Sequence, residues 1–369
     1  MKFGAIILTA GLSSRMDGFK PLLRLGKYSL LEHCARLFRQ SGIDRILVVS
    51  GHRAEEVAAE ARQLDLILVH NPRHAEGMFS SVQAGVQALG DGWDGFFLLP
   101  VDIPLVRPAT IRRLLGAFAA AREQVIIPCF AGERGHPPLI PAALIRDILA
   151  HDGSGGLQGL LAKHRCQDVA VWDRNVLHDA DTPDHLATLA ARLPRLAIPD
   201  PAEGEELTRL LVPPKVQDHA RQVARAAMVL GQALNQHGRA LDLELLFAGG
   251  LLHDLAKGQS DHGRRAAELL TGLGLTPVAA TVAEHVDLPP PDDGVLHERH
   301  LVCLADKALR GSSLIEPRER YQLRLRQFSH NPLALPMIRR RREHGLALQR
   351  LCEAACGRPL LELLREGGL

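Results

Sequence analysis

Long apolar runs are missing from this chain. None approaches the roughly 20 residues that a membrane-spanning helix needs, so the sequence gives no reason to expect a membrane partner. An excess of charge is missing too. Forty-four basic against 42 acidic side chains leave a formal net charge of +2, too little to argue for nucleic acid or a charged lipid surface. Cysteine is scarce and scattered, at Cys34, Cys129, Cys166, Cys303, Cys352 and Cys356, with no C-x-x-C pair. That usage predicts reduced thiols and a cytoplasmic location. Cys352 and Cys356 stand one helical turn apart, a spacing that suits packing. Lys2 leads straight into a strand-like run, which is not the pattern of a secretory signal. Repeats and low-complexity tracts are also lacking.

What remains is a 369-residue chain with 46% apolar residues and a mean hydropathy of −0.01. That is enough for two domains, each with its own core. Histidine is the conspicuous presence: 18 in all, several of them in the second half beside acidic residues within apolar helices.

The two halves differ in periodicity. Up to about Arg192, strand-like runs at 2–9, 44–50, 65–70, 94–100, 124–128 and 168–172 alternate with amphipathic stretches at 29–41, 54–63, 78–89, 108–122 and 183–192. This alternation predicts a mostly parallel sheet with helices on both faces, and ligands at the carboxyl ends of its strands. A proline-punctuated stretch, 194–213, reads as a linker with or without a short helix. From Val216 onward the pattern is helical, over 216–237, 242–257, 261–271, 275–286, 298–309, 316–329 and 332–355, predicting an all-α second domain. The expected organisation is therefore 1–193, a linker over 194–213, and 214–369.

In the first half, the apolar run Phe3–Leu8 opens into Thr9-Ala10-Gly11-Leu12-Ser13-Ser14-Arg15-Met16-Asp17-Gly18-Phe19-Lys20. Gly11 lets backbone N–H groups approach an anion, and Arg15 and Lys20 would neutralise it. Pro21 follows Lys20 where a Walker A motif requires Ser or Thr, which excludes an ordinary P-loop ATPase. The segment resembles the N-terminal signature of the nucleotidyltransferases that attach cytidylate or guanylate to molybdopterin, matching at Leu8, Ala10, Gly11, Ser13, Arg15, Met16 and Lys20. Asp17 departs from it, standing where the family has glycine.

Four further segments extend the resemblance. Pro100-Val101-Asp102-Ile103-Pro104 ends a buried strand in a carboxylate, and Asp179-Ala180-Asp181-Thr182-Pro183 resembles the family's second acidic motif. The resemblance implies Asp102 and Asp181 as ligands of Mg²⁺, with Thr182 free to cap the next helix. Asn71-Pro72 through Gly77 and Ser81 resembles the stretch near base and ribose. Gly135-His136-Pro137 resembles the segment near the acceptor. Implied nucleotide-binding residues are Leu8, Ala10, Gly11, Ser13, Arg15, Lys20, Gly77, Ser81 and Asp102. Arg15, Lys20, Asp102 and Asp181 are implied to carry the chemistry. The extra methyl of Ala10, where guanylyltransferases carry glycine, favours CTP over GTP.

In the second half, His253-Asp254 lies at the end of Leu245–Leu252, where a carboxylate is costly unless it meets a cation. His219 shares a stripe with Val216, Val223 and Leu230. Asp306 again puts a carboxylate on an apolar helix. The order His219…His253-Asp254…Asp306 resembles the ligand set of the HD phosphohydrolase superfamily. His262 and His285 stand where members with a second metal or a phosphate-binding pair carry histidines. Imidazole and carboxylate together suit Mn, Fe, Co, Ni or Zn, which would activate water and polarise a phosphoryl oxygen. Lys257 would assist phosphate binding or complement the helix end. Ile338–His344, though basic, reads as a solvated helix face.

The expected fold is an α/β domain with a Rossmann-like, mostly parallel sheet of nucleotidyltransferase type, followed by an all-α HD domain. The expected function is bifunctional. One activity transfers CMP from CTP to molybdopterin, or to the molybdenum cofactor, with release of pyrophosphate. The other is metal-dependent phosphohydrolysis. A molybdoenzyme or its chaperone is the implied protein partner. The alternative is GTP, or a sugar or alcohol phosphate as acceptor, with the HD domain as a nucleotide-sensing regulatory module.

Overall fold

The computed structural model describes residues 1–11 and 18–369, which fall into two compact units, Met1–Pro194 and Arg195–Leu369. Ser13, Arg15 and Asp17 of the first loop lie outside the described residues.

The strands of the first unit are β1 (Phe3–Leu8), β2 (Arg24–Leu25), β3 (Tyr28–Ser29), β4 (Arg45–Ser50), β5 (Ile67–His70), β6 (Gly95–Pro100), β7 (Val125–Phe130), β8 (Glu133–Arg134), β9 (Leu139–Pro141) and β10 (Cys166–Ala170). Its helices are α1 (Leu30–Gln40), α2 (Ala54–Gln63), α3 (Met78–Leu89), α4 (Pro108–Ala120), α5 (Ile145–Ala150), α6 (Gly156–Leu161) and α7 (Pro183–Arg192). Among the described residues, the main sheet runs β10-β7-β9-β6-β1-β4-β5, with β8 paired to β7. The pairs β1–β4, β1–β6, β4–β5 and β7–β10 are parallel, whereas β9 runs antiparallel to β6 and β7. Of the strands predicted by runs, β1, β4, β6 and β7 are buried along nearly their whole length, as parallel strands under helices are. By contrast, β5 at the sheet edge is largely exposed and β10 only partly buried. Strand β9, only three residues long, carries too little pattern to be read in advance.

Strand order reverses between β1 and β6. The chain leaves β1 toward β4 and β5, then returns to form β6 on the other side. Such a switch point opens a crevice beyond the strand ends, and register places Leu8 opposite Pro100 there.

One buried ion pair locks the far side of this unit. Asp173 is fully buried and accepts from Arg107 N–H (2.7 Å), Arg107 Nη1 (2.6 Å), Thr110 Oγ1 (2.7 Å) and Asn175 Nδ2 (2.9 Å). It pins the start of α4 to the chain after β10. Asp173→Ala would leave a guanidinium buried beside Trp172 without this carboxylate, at a cost of roughly 3 kcal/mol. Urea unfolding measures it, and a loss under about 1 kcal/mol would contradict a structural role for this network.

The second unit contains α8 (Pro201–Leu211), α9 (Pro214–Gln236), α10 (Leu243–Leu252), α11 (His262–Gly272), α12 (Thr276–Val282), α13 (Glu298–Lys307), α14 (Pro317–Gln327), α15 (Ala334–Cys356) and α16 (Leu360–Glu366). The 194–213 stretch, read as a linker with or without a short helix, carries α8, closed by an Asp200–Glu203 capping box and packed on α10. One feature differs from the expected pattern. A two-stranded hairpin, β11 (Leu309–Arg310) with β12 (Ser313–Leu314), interrupts the helices. Helix α10 has no side chain at Gly250, whose Cβ would stand 2.3 Å from Ala224 Cα. That close crossing brings the His219 and His253 rings, borne on α9 and at the end of α10, to 5.4 Å between centroids. The basic 338–344 run is partly paired: Arg340 Nη2 and His344 Nδ1 reach Asp287 at 2.6 and 2.8 Å.

His300, buried on α13, uses Nδ1 to accept from the His297 N–H at 3.0 Å. Burial pushes its pKa from 6.5 to about 4. Between those values the unfolded chain binds the extra proton, so stability is lost as pH falls from 6.5 toward 4, by at most about 1.4 kcal/mol per pH unit. His300→Asn keeps an acceptor without the titration. Its stability should depend less steeply on pH than that of wild type in urea unfolding between pH 7 and pH 4.5, and identical slopes would refute the assignment.

Candidate active sites

In the first unit, the carboxyl ends of β1 and β6 deliver the expected residues to one cavity of about 470 Å³, lined among others by Leu8, Ala10, Gly11, Lys20, Ser81 and Asp102. Lys20 opens a short 3-10 turn and reaches back over the strand ends. Its ammonium stands between two carboxylates, 3.0 Å from Asp102 Oδ2 and 2.5 Å from Asp181 Oδ1. Burial works against the charge on Lys20, but hydrogen bonds and attraction from Asp181 and Asp102 outweigh it and raise its pKa. The two acidic loops are joined through their backbones, Ala180 N–H donating to the Asp102 carbonyl at 2.8 Å. Thr182 caps α7, accepting from His185 N–H at 3.3 Å, with Pro183 in the first helical position.

The segment read as lying near base and ribose forms the cavity wall. Buried Asn71 donates from Nδ2 to Ser80 Oγ and Ser81 Oγ, both at 2.9 Å. Gly77, at φ +104°, supplies the left-handed turn from which α3 starts. His136 feels the charge of Asp102, although burial lowers its pKa. His74 lines the cavity too and was missed. It stands between the Asn71 and Gly77 motifs, which is the signal that would have found it.

Two carboxylates converging on one cation, about three-quarters buried and with Asp102 lining the cavity, fit a hard ion that keeps part of its shell for substrate oxygens. Asp102 and Asp181 would hold Mg²⁺, which supplies charge neutralisation for a triphosphate.

In the second unit, His253 and Asp254 follow immediately on the last residue of α10 rather than lying inside it. Both are buried, as are His285 and Asp306. His219, His253 and Asp254 each offer a ligand atom within 4.8 Å of the others, and so do Asp254, His262 and His285. Asp254 is common to both groups. His253 Nδ1–H donates to the Gly250 carbonyl (2.7 Å), and His285 Nδ1–H to that of Val282 (2.8 Å). Those bonds aim an Nε2 lone pair inward. His253 Nε2 is buried with no hydrogen-bond partner, 3.3 Å from Asp254 Oδ2. His285, lowered by burial to about pKa 4, presents its lone pair 3.7 Å from Asp254 Oδ1. A lone pair facing a carboxylate is repulsive until a cation lies between them. The donor set therefore fits a divalent transition metal.

His219 is held differently. Its Nδ1 bonds the Gly311 carbonyl at 2.8 Å and its Nε2 lies 3.2 Å from Asp306 Oδ1. Burial raises the Asp306 carboxyl, but Arg320 and Lys307 outweigh that and hold it well below the usual range. Lys307, itself buried, bonds both Asp306 Oδ2 (2.7 Å) and the His285 carbonyl (2.9 Å). Lys257 reaches Asp254 Oδ2 at 2.5 Å. Gly311, Lys307 and Arg320 were not anticipated as supports, because nothing local in the sequence ties them to His219 or Asp306.

Comparison with known proteins agrees with this division. The MobA-like NTP transferase domain family matches residues 5–169 and the HD domain family residues 216–311. Asp181 lies beyond the first match but inside the same compact unit. The chain is 28% identical over 188 residues to the molybdenum cofactor cytidylyltransferase of Escherichia coli K12, covering 51% of this chain and 95% of that one. It is 39% identical over 127 residues to a bifunctional IPC transferase and DIPP synthase of Rubrobacter xylanophilus, covering 32% of this chain and only 28% of that one. Among solved structures, Rv0371c of Mycobacterium tuberculosis is 25% identical and aligns over 52% of this chain and 99% of that one, with a TM-score of 0.46. No helix among the described residues is long and apolar enough to cross a membrane. The chain is an enzyme that joins a MobA-like NTP transferase domain to an HD domain.

Proposed function

We propose that the first unit transfers CMP from CTP to the terminal phosphate of molybdopterin or the molybdenum cofactor. The reading is carried by Lys20 standing between Asp102 and Asp181 at the β1/β6 crevice. An acceptor phosphate oxygen bonds to the α-phosphorus, the bridging P–O bond to the β-phosphate breaks, and pyrophosphate leaves with the electron pair. The chain's own work is positioning and charge screening. Lys20 and the backbone beyond Leu8 hold the phosphates, and Arg15 is assigned to them by sequence alone. Ala10 is buried and lines the cavity, where its methyl would narrow the space beneath a base, which supports a pyrimidine. The relative named as a cytidylyltransferase supports the same choice.

The second unit, on this reading, hydrolyses a phosphate ester or anhydride. Water oxygen bonds to phosphorus, the P–O bond to the leaving group breaks, and a proton goes to the departing oxygen. His219, His253, Asp254 and Asp306 would hold a divalent metal, with His262 and His285 completing a second site around Asp254. Such an ion supplies Lewis acidity and a more acidic water. The cysteines are free thiols, which supports a cytoplasmic location, and a molybdoenzyme or its chaperone would receive the product. A different acceptor, such as a sugar or alcohol phosphate, is the second reading, favoured by the 39% identity to the bifunctional transferase. Incubation with molybdopterin and each of CTP and GTP, followed by identification of the dinucleotide, decides between them. A dinucleotide containing cytosine is expected, and no product from molybdopterin with either nucleotide overturns the assignment.

A further inference from the structure

A cavity of about 340 Å³ opens beside the histidine–aspartate cluster of the second unit, within the size range of small-molecule sites. His219 and Lys257 line it, and Lys257 contacts Asp254 directly. Lys215, Arg310, Arg320 and Arg324 line it as well. Among the described residues, no carboxylate lines it.

These cations do different jobs. Arg320 is committed, donating to the carbonyls of Asp306 and Leu309 and to Asp306 Oδ1. Lys215, Arg310 and Arg324 are exposed and have no acidic partner among the described residues. Some other arginines of the same unit are paired, Arg195 with Asp242, Arg221 with Glu205 and Arg340 with Asp287. Lys215 also sits in the first turn of the 23-residue α9, the end at which the helix dipole disfavours a cation. Like charges gathered at one mouth repel one another, and a positively polarised helix end adds to the repulsion. An anion arriving there relieves all of these costs together. One phosphoryl group at the metal-ligand cluster meets Lys257 and leaves the other three cations unused.

Resting on the phosphohydrolase reading above, we propose that the substrate of this unit carries a second phosphate beside the one that is cleaved. Lys215, Arg310 and Arg324 bind that second phosphate, while the scissile phosphoryl group sits at the His219–Lys257 end. The substrate class is therefore diphosphates and their esters rather than simple monoesters. The partly buried Leu323 and buried Leu309 on the same wall leave room for an organic group.

The test uses the full chain and its Arg310→Ala/Arg324→Ala variant, whose replaced side chains are exposed. Calorimetric titration of metal-stripped protein compares methylenediphosphonate with methylphosphonate. The difference between wild type and variant isolates this cavity from the first unit. Wild type should bind the diphosphonate at least tenfold more tightly than the monophosphonate, and the variant should lose most of that ratio. With Mn²⁺ added, kcat/KM for CDP should exceed that for p-nitrophenyl phosphate at least tenfold, and the variant should remove the preference. Equal binding of both phosphonates, or a preference unchanged in the variant, overturns the proposal even where p-nitrophenyl phosphate is hydrolysed. Selective diphosphonate binding that the variant loses, with hydrolysis of neither substrate, supports the diphosphate site and overturns the phosphohydrolase reading instead.

Discussion

Asp102→Ala and Asp181→Ala each lower nucleotidyl transfer by at least about 10³-fold, equivalent to some 4 kcal/mol of transition-state stabilisation. The geometry explains why the effect falls on rate and not on folding. Both carboxylates are about a quarter exposed, 23% and 24%, so neither is a buried charge whose partner would be stranded. Loss of one leaves Lys20 still paired with the other. The bond from Ala180 N–H to the Asp102 carbonyl is made by backbone and survives either substitution. Melting should therefore stay within about 2 °C of wild type. Pyrophosphate release from CTP in the presence of acceptor is the measurement. A wild-type rate in either variant would refute the assignment, and a large fall in melting temperature would show that the pair holds the fold instead.

Asp254→Asn and His253→Ala abolish divalent metal retention and metal-dependent hydrolysis in the second unit, each by at least about 10³-fold in rate. Asp254 is common to both ligand groups, so its loss removes a donor from each and should cost more metal than loss of His262, which serves one. The asparagine keeps shape in a site only 1% exposed. Lys257, whose side chain is 45% exposed, turns to water when its partner is neutralised, which limits the folding penalty. Metal content after dialysis, measured by atomic emission alongside circular dichroism, separates loss of ligand from loss of structure. Unchanged metal content in Asp254→Asn would refute the ligand assignment.

Much of this was legible in the sequence, for identifiable reasons. Continuous apolar runs and helical stripes reach far enough along the chain to show β1, β4, β6 and β7 and the long helices. Lys20, Asp102 and Asp181 could be grouped because their motifs resemble those of one nucleotidyltransferase family in order, and the first two also fall at the carboxyl edge of a parallel sheet. Short elements without a repeat to reveal them were not legible: β9, β11 and β12 are two or three residues each. The prolines around α8 left its stretch open between a bare linker and a linker with a short helix, although Pro201 in its first turn is where a helix accepts proline. The supports of the second site were invisible for another reason. Gly311 and Lys307 act through a backbone carbonyl and a buried ammonium, and their partners are set by the fold.

The hairpin of β11 and β12 has a consequence for how this chain can diverge. Its turn supplies the Gly311 carbonyl that orients His219, and its first strand carries Arg310 at the cavity mouth. An insertion, deletion or change of pitch in these few residues displaces both at once. Substrate choice adjusted through the hairpin is therefore inherited together with a change in how His219 is aimed. Arg324 on α14 and Lys215 on α9 carry no such linkage. Drift in specificity should accumulate at those two positions first, while the hairpin length stays fixed.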